Sequence, residues 1–466
     1  MYELKGKRAL VVGLGKSGIA AARCLVKCGS KVTAMDARPE SEFADLKNEL
    51  LNANVHTHFG SNEQKYFEDT DIVVLSPGVP LNIEGIKKAM SRKIPIVGEL
   101  ELAVSQIDKP IVSVTGTNGK TTTTALIDHL LREASIKHIV AGNIGKPVLE
   151  CLNEVHDVKF VVLEVSSFQI DTSPSLSSHI GIWLNATPDH LDRHPTFEEY
   201  VKSKAKLFER MNEDAYGIYN INDESVCNSI KNSRCNLIAF DASGKKFSYE
   251  NKVPNTTWYE NGELYTNLKN KGVNRYSLED VHLTGEYNRE NMLSAIVASE
   301  ICGADPIDIR RGLKAFKGLS HRMEFLGECD GFIFYNDSKG TNIGATAKAL
   351  ENFDEPVVLI AGGLAKGTDF SPLRNLVKDK VRTLVLIGEA TAQMEKTFDG
   401  ACKILKAGSM DEATKLAVKS AEAGDVILLS PACASFDMFK DYNERGVIFK
   451  ECVGDFFKKQ GCEYSH

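Results

Sequence analysis

Residues 114–134 read VTGTNGKTTTTALIDHLLREA, and they give the strongest indication of how the central part of the chain folds. The residues IVSVT that lead into it have the character of a buried strand, and TTTTALIDHLLREA carries apolar residues at helical spacing. Between the two, backbone N–H groups and the helix N-terminus would surround phosphates, with Lys120 on the β/γ oxygens and Thr121 near Mg2+. Val114 stands where the full phosphate-loop pattern has glycine. We predict an ATP site formed by Gly116, Thr117, Asn118, Gly119, Lys120, Thr121 and Thr122.

A second glycine motif, VVGLGKSG, lies at residues 11–18. Gly13, Gly15 and Gly18 follow a strand and open a helix, and Asp36 ends the next strand 23 residues after Gly13. This spacing is typical of a dinucleotide-binding turn that holds a diphosphate at a helix N-terminus. NAD, another nucleotide diphosphate and a purely structural βα turn all fit it. Together the two motifs indicate two substrates, ATP and a second molecule that itself carries a nucleotide diphosphate.

The strand and helix patterns alternate along the chain, which predicts an α/β protein of three domains. Residues 1–98 are expected to form a Rossmann-like domain with a parallel sheet. Residues 99–319 would form a P-loop ATPase-like domain, and Asn261-Gly262 indicates a hairpin in a small added antiparallel sheet. Residues 320–466 would form a second Rossmann-like domain. The clefts of these units are the expected active site.

The composition of the 466 residues excludes several classes of function. A net charge of −7 argues against a nucleic-acid-binding surface. The eleven scattered cysteines contain no Cys-x-x-Cys pair, which indicates reduced thiols of a cytoplasmic protein and not a disulfide framework or a zinc site. No apolar run is long enough to span a membrane. We expect a cytoplasmic enzyme that is a monomer.

Two polar residues follow predicted central strands. Glu164 ends FVVLE, where a carboxylate beside a phosphate loop could bind Mg2+, although a solvated strand end is equally consistent with the pattern. His190 in NATPDHLDRH follows the next strand, and a surface histidine is the simpler interpretation of it.

The predicted helix TFEEYVKSKAKLFERM contains an unusually placed lysine. Thr196 is a plausible N-cap, and the apolar residues of the helix form one stripe. At about 100° per residue, Lys204 falls in the middle of this stripe, whereas Lys202 and Lys206 fall outside it. A buried ammonium is costly unless it is paired or neutralised. Lys204 either extends to the rim of the stripe or is a functional residue that faces the nucleotide.

Together these segments resemble the Mur ligases, the ATP-dependent amino-acid-adding enzymes of peptidoglycan synthesis. The resemblance covers essentially the whole chain and rests on GTNGKT, AGNIGKP, LEVSSFQ, DHLDRH, GEYNRENMLSA, GLSHRMEF, NDSKGTN and SPACASFDMFKDYNERG. The last two segments are similar to those of the members that add D-glutamate, and the Asp-Asn-Pro-Arg segment of the diamino-acid adders is absent. The resemblance implies that ATP and Mg2+ activate UDP-N-acetylmuramoyl-L-alanine as an acyl phosphate, which D-glutamate then attacks.

The resemblance also implies the roles of individual residues. The sugar nucleotide would be bound by Gly15, Lys16, Ser17, Asp36, Arg38, Gly78 and Asn143. The ATP site would include Asn288, Asn291, Arg322 and Asp337. D-glutamate would be bound by Thr341, Lys366, Ser430 and Phe439. The Mg2+ ligands would be Thr121, Glu164, His190 and Lys204, the last as the carbamate known in this family. The catalytic residues would be Lys120, His190 and Lys204.

One departure from the family pattern concerns the third domain. Some members carry Asp-Gly-Lys after its Gly-Gly pair, whereas this chain has GGLAKG. Leu364 therefore cannot supply that carboxylate, which bears on the role of Lys366.

Other functions remain open from the sequence alone. An NAD-dependent oxidoreductase would use the first glycine motif but leaves the phosphate loop unexplained. A folylpolyglutamate-synthase-like ligase would leave the N-terminal domain without a role, and another Mur-type ligase would add a different amino acid. A non-catalytic nucleotide-binding regulator would bind ATP without amino-acid-dependent phosphate release.

Overall fold

Three β-sheets organise the part of the chain that the structure describes. The structure is a computed structural model that describes residues 2–60, 63–189, 193–250, 253–269, 271–365 and 367–462. It divides into two compact units, Met1–Asp280 with Asn288–Ala315, and Val281–Tyr287 with Phe316–His466. The first unit holds two of the sheets and the second unit holds one. The division into three domains at residues 98 and 319 stays a prediction.

The N-terminal sheet is parallel and has the order β3-β2-β1-β4-β5. Its strands are β1 (Arg8–Val12), β2 (Lys31–Asp36), β3 (Val55–Phe59), β4 (Ile72–Leu75) and β5 (Ile96–Gly98). The helices are α1 (Lys16–Lys27), α2 (Ala44–Asn52), α3 (Lys65–Glu68), α4 (Glu84–Ser91) and α5 (Glu99–Val104). The strands predicted before the first glycine motif and up to Asp36 are confirmed as β1 and β2, and the sheet is parallel, as predicted. The strand β3 was not predicted, because its sequence VHTHF lacks a continuous apolar run.

The central sheet has nine strands in the order β14-β13-β12-β11-β10-β9-β6-β8-β7. Its strands are β6 (Ile111–Thr115), β7 (His138–Gly142), β8 (Phe160–Glu164), β9 (Ile180–Trp183), β10 (Tyr216–Asn220), β11 (Asn236–Asp241), β12 (Thr256–Glu260), β13 (Glu263–Leu268) and β14 (Gly272–Ser277). Its helices are α6 (Lys120–Glu133), α7 (Ser167–Asp171), α8 (Phe197–Glu209), α9 (Glu224–Ser229), α10 (Glu286–Ile301) and α11 (Pro306–Ala315). The sheet places β6, which leads into the phosphate loop, between β8 and β9.

The added antiparallel strands differ from the prediction in one respect. The hairpin at Asn261-Gly262 is confirmed, since both residues have a positive φ and β12 pairs antiparallel with β13. The strands do not form a separate small sheet, however, because β12 pairs in parallel with β11 and so extends the central sheet. This pairing satisfies the backbone groups that the β11 edge would otherwise expose.

The second unit contains a six-stranded sheet with the order β15-β16-β20-β17-β18-β19. Its strands are β15 (Glu324–Cys329), β16 (Phe332–Asn336), β17 (Val357–Gly362), β18 (Val381–Ile387), β19 (Lys403–Lys406) and β20 (Val426–Leu429). Its helices are α12 (Ile343–Glu351), α13 (Arg374–Lys380), α14 (Thr391–Phe398), α15 (Met410–Ser420) and α16 (Tyr442–Gln460). Apart from the antiparallel β15, the pairings are parallel, as predicted for a Rossmann-like sheet. No described helix combines the length and the apolar character needed to cross a membrane.

The cysteines correct one prediction from the sequence. Cys329 at the end of β15 and Cys462 after α16 form a disulfide, with their Cα atoms 5.7 Å apart, so the expectation of reduced thiols throughout is wrong for this pair. The two residues are 133 positions apart in sequence, and only the packing of α16 beside β15 and β16 brings them together. The other described cysteines are free thiols.

Candidate nucleotide-binding and active site

The predicted phosphate loop connects β6 to α6. Gly119 caps α6 in the left-handed conformation with φ +85°, and a Cβ at this position would collide with Oδ1 of Asn291. Glycine is therefore required here for both its conformation and its size. Val114, the departure from the phosphate-loop pattern, lies within β6 and is buried in the core. At this position the chain is still a strand, and a glycine is not needed.

Asn185, which no sequence motif singled out, holds the phosphate loop in place. Oδ1 of Asn185 accepts hydrogen bonds from the backbone N–H groups of Thr117, at 3.1 Å, and Asn118, at 2.9 Å. Asn185 lies just after β9, the neighbour of β6 in the sheet. These two hydrogen bonds hold the backbone of the phosphate loop, so Asn185 fixes the conformation of the loop. The only signal in the sequence was its position after a buried strand.

Two predicted ATP residues of α10 lie beside this loop. Oδ1 of Asn291 accepts a hydrogen bond from Oγ1 of Thr123 on α6 at 3.0 Å, and Nδ2 of Asn291 donates to Oδ1 of Asn288 at 3.3 Å. The structure therefore brings Asn288 and Asn291 to the first turns of α6, close to Thr121 and Thr122.

Glu164 occupies the end of β8, next to the phosphate loop. It is 1% exposed, and its Oε1 accepts a hydrogen bond from Nδ2 of Asn143 at 2.8 Å. Its other oxygen, Oε2, is buried without a hydrogen-bond partner among the described residues. A buried carboxylate oxygen without a partner is costly and fits a cation ligand. Asn143, which the resemblance placed against the sugar nucleotide, is also a partner of this carboxylate.

The structure confirms the unusual position of Lys204 on α8. The lysine is 1% exposed, whereas Lys202 is exposed and Lys206 forms an ion pair with Asp171. Thr196 caps the helix, as predicted, by accepting a hydrogen bond from a backbone N–H group. Lys204 therefore does not extend to the rim of the stripe but points into the interior.

Lys204 and the phosphate-loop lysine converge on one backbone oxygen. The carbonyl of Gly116 accepts from Nζ of Lys204 at 3.0 Å and from Nζ of Lys120 at 2.8 Å. Burial, and after it the charge of Lys120, lower the pKa of Lys204 well below its usual value. Two cations so close to one another favour an anion between them or the loss of one charge.

His190 lies outside the described residues, as does Lys366.

The first glycine motif opens on a cavity of about 420 Å³ in the first unit. Gly18 allows close packing, because a Cβ there would collide with the carbonyl oxygen of Gly13. The wall includes six of the seven residues predicted for the sugar nucleotide, Gly15, Lys16, Ser17, Asp36, Arg38 and Gly78. The seventh, Asn143, does not line this cavity but lies at Glu164.

Asp36 and Arg38 are paired in the wall of this cavity. The guanidinium of Arg38 donates two hydrogen bonds of 3.0 Å to the carboxylate of Asp36, which also accepts from the N–H group of Leu14 at 2.7 Å. Burial by itself would raise the pKa of Asp36, but the hydrogen bonds from Arg38 and Leu14 lower it below its usual value. Asp36 is therefore held as an anion, and it orients the half-exposed Arg38.

In the second unit, two predicted residues meet at the ends of neighbouring strands. Asp337 follows β16 and Ser430 follows β20, and Oγ of Ser430 donates to Oδ2 of Asp337 at 2.8 Å. Ser430 is fully buried, and its hydroxyl also bonds to Thr346 at 3.1 Å. Burial raises the pKa of Asp337 to about 7, against the opposing effect of Ser430, the Met323 N–H and nearby Arg322.

The remaining described residues of this predicted site lie in surrounding segments. Thr341 is half-buried in the loop that follows β16, and Phe439 packs against the core on the α16 side of the sheet. Leu364 forms a backbone bridge with Ala434.

Arg445 is a fully buried residue of α16 that no sequence pattern singled out. Its guanidinium donates to the backbone oxygen and hydroxyl of Ser338, at 2.7 and 3.0 Å, and to the backbone oxygen of Cys433 at 3.2 Å. Arg445 therefore joins the loop after β16 to the loop after β20. Burial lowers its pKa to about 10. The segment SPACASFDMFKDYNERG contained this arginine, but nothing in the spacing marked it as buried.

Comparison with known families matches three consecutive stretches of the chain. Residues 7–98 match the Mur ligase MurD-like N-terminal domain, residues 114–299 the Mur ligase middle domain, and residues 321–433 the Mur ligase glutamate ligase domain. A protein of Geotalea daltonii named UDP-N-acetylmuramoylalanine–D-glutamate ligase is 38% identical over 451 residues, which is 97% of this chain and 98% of the relative. A protein of the same name from Caldanaerobacter subterraneus is 41% identical over 460 residues, covering 97% and 99%.

The chain belongs to the Mur ligase family.

Solved structures share the fold of this Mur ligase at low sequence identity. UDP-N-acetylmuramate-alanine ligase MurC from Thermotoga maritima gives a TM-score of 0.56 at 19% identity and covers 97% of this chain and 100% of its own. MurF ligase from the same organism, in complex with ADP, gives 0.57 at 16% identity, with 99% of each chain covered. Folylpolyglutamate synthase from Mycobacterium tuberculosis also gives 0.57, at 14% identity, over 76% of this chain and 92% of its own. These likenesses show the fold alone.

Proposed function

We propose that this Mur ligase joins D-glutamate to UDP-N-acetylmuramoyl-L-alanine at the expense of ATP, in the synthesis of peptidoglycan precursors. The names of the full-length relatives support this reaction. The observation that carries it is that the first unit holds two candidate nucleotide sites, the cavity of about 420 Å³ at the first glycine motif and the phosphate loop with its buried acid and lysine. An enzyme that used only one nucleotide would leave one of these sites without a role.

The sugar nucleotide would occupy the cavity, with its diphosphate at the N-terminus of α1. Lys16 and Ser17 open this helix and line the wall, so N–H groups and a cation meet the negative charge. Arg38, oriented by Asp36, would bind a polar group of the nucleotide.

ATP would bind at the phosphate loop, with Asn288 and Asn291 beside it. For Arg322 and Asp337 we keep the role in ATP binding that the family resemblance implies. Glu164 would hold Mg2+ together with Thr121 and His190, which suits its Oε2, an oxygen that has no hydrogen-bond partner among the described residues. When bound, Mg2+ would neutralise charge on the phosphate oxygens. The positively charged ammonium group of Lys120 would stabilise the same negative charge.

Lys204 is proposed to act as a carbamate. Its neutral amine would add to CO2 and lose a proton, which replaces a cation by an anion. The support is geometric, because Lys204 is buried and shares the Gly116 oxygen with Lys120. A carbamate would pair with Lys120 instead of repelling it, and its oxygens would be Mg2+ ligands.

The reaction follows from these positions in two steps. A carboxylate oxygen of the sugar-peptide attacks the γ-phosphorus of ATP, the bond to the β-phosphate oxygen breaks, and ADP leaves. The amine of D-glutamate, after losing a proton, then attacks the acyl carbon, and phosphate leaves from the tetrahedral intermediate. Charge develops on phosphoryl oxygens in both steps, where Lys120 and the loop N–H groups stabilise it.

D-glutamate would be bound in the second unit by Thr341, Lys366, Ser430 and Phe439. The hydroxyl of Ser430 is already bonded to Asp337 and Thr346, so a direct contact with the amino acid would exchange one of these partners. Without such an exchange, Ser430 would act by orienting Asp337.

The test is phosphate release from ATP in the presence of UDP-N-acetylmuramoyl-L-alanine, with and without D-glutamate. We expect release that depends on both, and Lys120→Ala should reduce it about 10²–10³-fold while Lys202→Ala, on an exposed position, leaves it unchanged. A panel with L-alanine, L-lysine and meso-diaminopimelate tests the amino acid. Faster addition of any of these than of D-glutamate would contradict the proposal, as would nicotinamide-dependent turnover without phosphate release.

A further inference from the structure

Arg193 fixes the loop that forms one wall of the cavity. Its guanidinium donates to three consecutive carbonyl oxygens, those of Pro77 at 2.7 Å, Gly78 at 2.6 Å and Val79 at 3.1 Å. All three residues line the cavity. The loop follows β4 of the N-terminal sheet, whereas Arg193 follows β9 of the central sheet, so a single side chain ties the cavity wall to the central part of the same unit.

The guanidinium of Arg193 packs on the stacked rings of Phe168 and His194. The guanidinium of Arg193 lies over the ring of Phe168, 4.6 Å from its centre. The ring of Phe168 is stacked on the imidazole of His194, with centres 5.2 Å apart and planes at 6°. The buried His194 is held by a hydrogen bond of 2.9 Å between its Nε2 and Oγ of Ser167. Arg193 is thus packed against a rigid pair of rings.

The stack ends at the phosphate loop. The edge of His194 meets the ring of Tyr200, with centres 5.4 Å apart and planes at 61°. The hydroxyl of Tyr200 lies 3.0 Å from Oγ1 of Thr117 in the phosphate loop, and its ring lies 4.6 Å from Nζ of Lys204. Direct contacts therefore run without interruption from the carbonyls of the cavity wall to the phosphate loop.

We infer that Arg193, Phe168, His194 and Tyr200, here called the relay, make binding of the sugar nucleotide and binding of ATP depend on each other. The identity of the two ligands rests on the proposed function. A ligand that contacts Gly78 restricts the loop of Pro77, Gly78 and Val79. Because Arg193 donates three hydrogen bonds to this loop, its guanidinium is restricted together with the loop. The ring stack transmits the constraint to Tyr200, which positions Thr117. Arg193 is a positioning residue, because it acts through the loop and the rings.

The physical basis is conformational entropy. Because both sites order the same side chains, the entropy cost of ordering them is incurred only once. Whichever ligand binds first restricts the relay, so the second ligand meets a site that is already ordered. By linkage, the sugar nucleotide must raise the affinity for ATP by the same factor as ATP raises the affinity for the sugar nucleotide. This reciprocity can be measured without catalysis.

The experiment measures binding of the non-hydrolysable analogue AMP-PCP to the full chain by calorimetry, with and without saturating UDP-N-acetylmuramoyl-L-alanine and with no D-glutamate. In the wild type we expect the sugar nucleotide to tighten AMP-PCP binding about 5-fold or more. Arg193→Met keeps an apolar chain over Phe168 but has no hydrogen-bond donors. In this variant the ratio of AMP-PCP affinities with and without the sugar nucleotide should fall below about 2-fold. Affinity for AMP-PCP alone should stay within about 2-fold of the wild type.

Two further variants separate the relay from general destabilisation. Phe168→Leu removes the ring between Arg193 and His194, and it too should lower the ratio. Arg210→Met is the matched control, because this half-buried arginine also donates to backbone carbonyls near α7, those of Ile170 and Ser173. Arg210 does not touch the cavity wall, and its variant should keep the wild-type ratio.

The outcomes distinguish the inference from the proposed function. If the wild type binds both ligands with no mutual effect, or if Arg193→Met and Phe168→Leu keep the full ratio, the relay is refuted while the proposed function stands. If the sugar nucleotide does not bind the wild type at all, the proposed function fails and the inference fails with it.

Discussion

The buried carboxyl group of Asp337 predicts a specific dependence of stability on pH. Burial raises the pKa of Asp337 to about 7, although a hydrogen bond from Ser430 and the N–H group of Met323 oppose this effect. The folded state therefore keeps the proton up to about pH 7, whereas the unfolded chain loses it near the ordinary value of 3.8. Between these values the unfolded state binds fewer protons, so the free energy of unfolding of the second unit falls as the pH rises. Asp337→Asn removes the titrating group and should remove this fall.

The magnitude follows from the two pKa values. A group that titrates at about 7 in the folded state and at 3.8 in the unfolded state loses about 2 kcal/mol of stability between pH 5 and pH 7. The contribution levels off above pH 8, where both states are ionised. The difference in unfolding free energy between Asp337→Asn and the wild type should therefore move in favour of the variant by about 2 kcal/mol over this range.

The assay is urea unfolding at pH 5, 6 and 7, with amide hydrogen exchange in β16 and β20 to report on the second unit. Asp369→Asn is the matched control, because Asp369 is exposed and hydrogen bonds from Ser371 lower its pKa. Its ionisation lies below the tested range, so its variant should show no trend. If the difference between Asp337→Asn and the wild type is the same at pH 5 and pH 7, Asp337 is ionised throughout and the reasoning is wrong.

Three further predictions concern other parts of the molecule. Lys204→Ala should lower D-glutamate-dependent phosphate release about 10²–10³-fold, whereas Lys202→Ala should retain it, and equal activities of the two variants would refute the role of the buried lysine. Asn185→Ala removes the acceptor of two loop N–H groups. It should lower the free energy of unfolding in urea by about 1–3 kcal/mol and weaken AMP-PCP binding. An unchanged variant would show that water replaces the amide. Dithiothreitol should lower the melting temperature of the wild type but not of Cys329→Ser. The reason is that a disulfide joining residues 133 positions apart contributes up to about 5 kcal/mol by chain entropy. An unaffected wild type would mean that these thiols are reduced.

Much of the fold could be predicted because its signals are local. The phosphate loop, the dinucleotide turn and the hairpin at Asn261-Gly262 each consist of consecutive residues with a fixed conformational preference. Six of the strands that escaped prediction, β3, β5, β7, β14, β15 and β19, are the edge strands of the three sheets, where the apolar pattern is weak. The other two, β10 and β11, lie inside the central sheet and were also missed. The extension of the central sheet by β12 was missed because strand pairing depends on which edge is available and not on the sequence of one strand.

The residues of the candidate site also fall into two groups, those with a local signal in the sequence and those without one. Lys204 could be singled out because the helical period alone places it within an apolar stripe, but only the structure shows that its side chain is buried and does not extend to the rim. Nothing local distinguished Asn185, Arg193 or Arg445. The hydrogen bonds described above join Asn185 to residues 67 and 68 positions away, Arg193 to residues 114 to 116 positions away, and Arg445 to Ser338, 107 positions away.

The positions of the two glycine-containing turns and the buried face of α8 could be read from the order of residues alone, because both depend on backbone preferences and on periodicity within about twenty residues. Which polar atoms meet depends on the tertiary structure: Arg193 with the cavity wall, Asn185 with the phosphate loop, and Cys329 with Cys462. The physical reason is that hydrogen bonds and disulfides act over about 2–3 Å. Their partners are therefore set by the order of strands in the sheets and by the packing of helices on them, which bring together residues that are far apart in the chain.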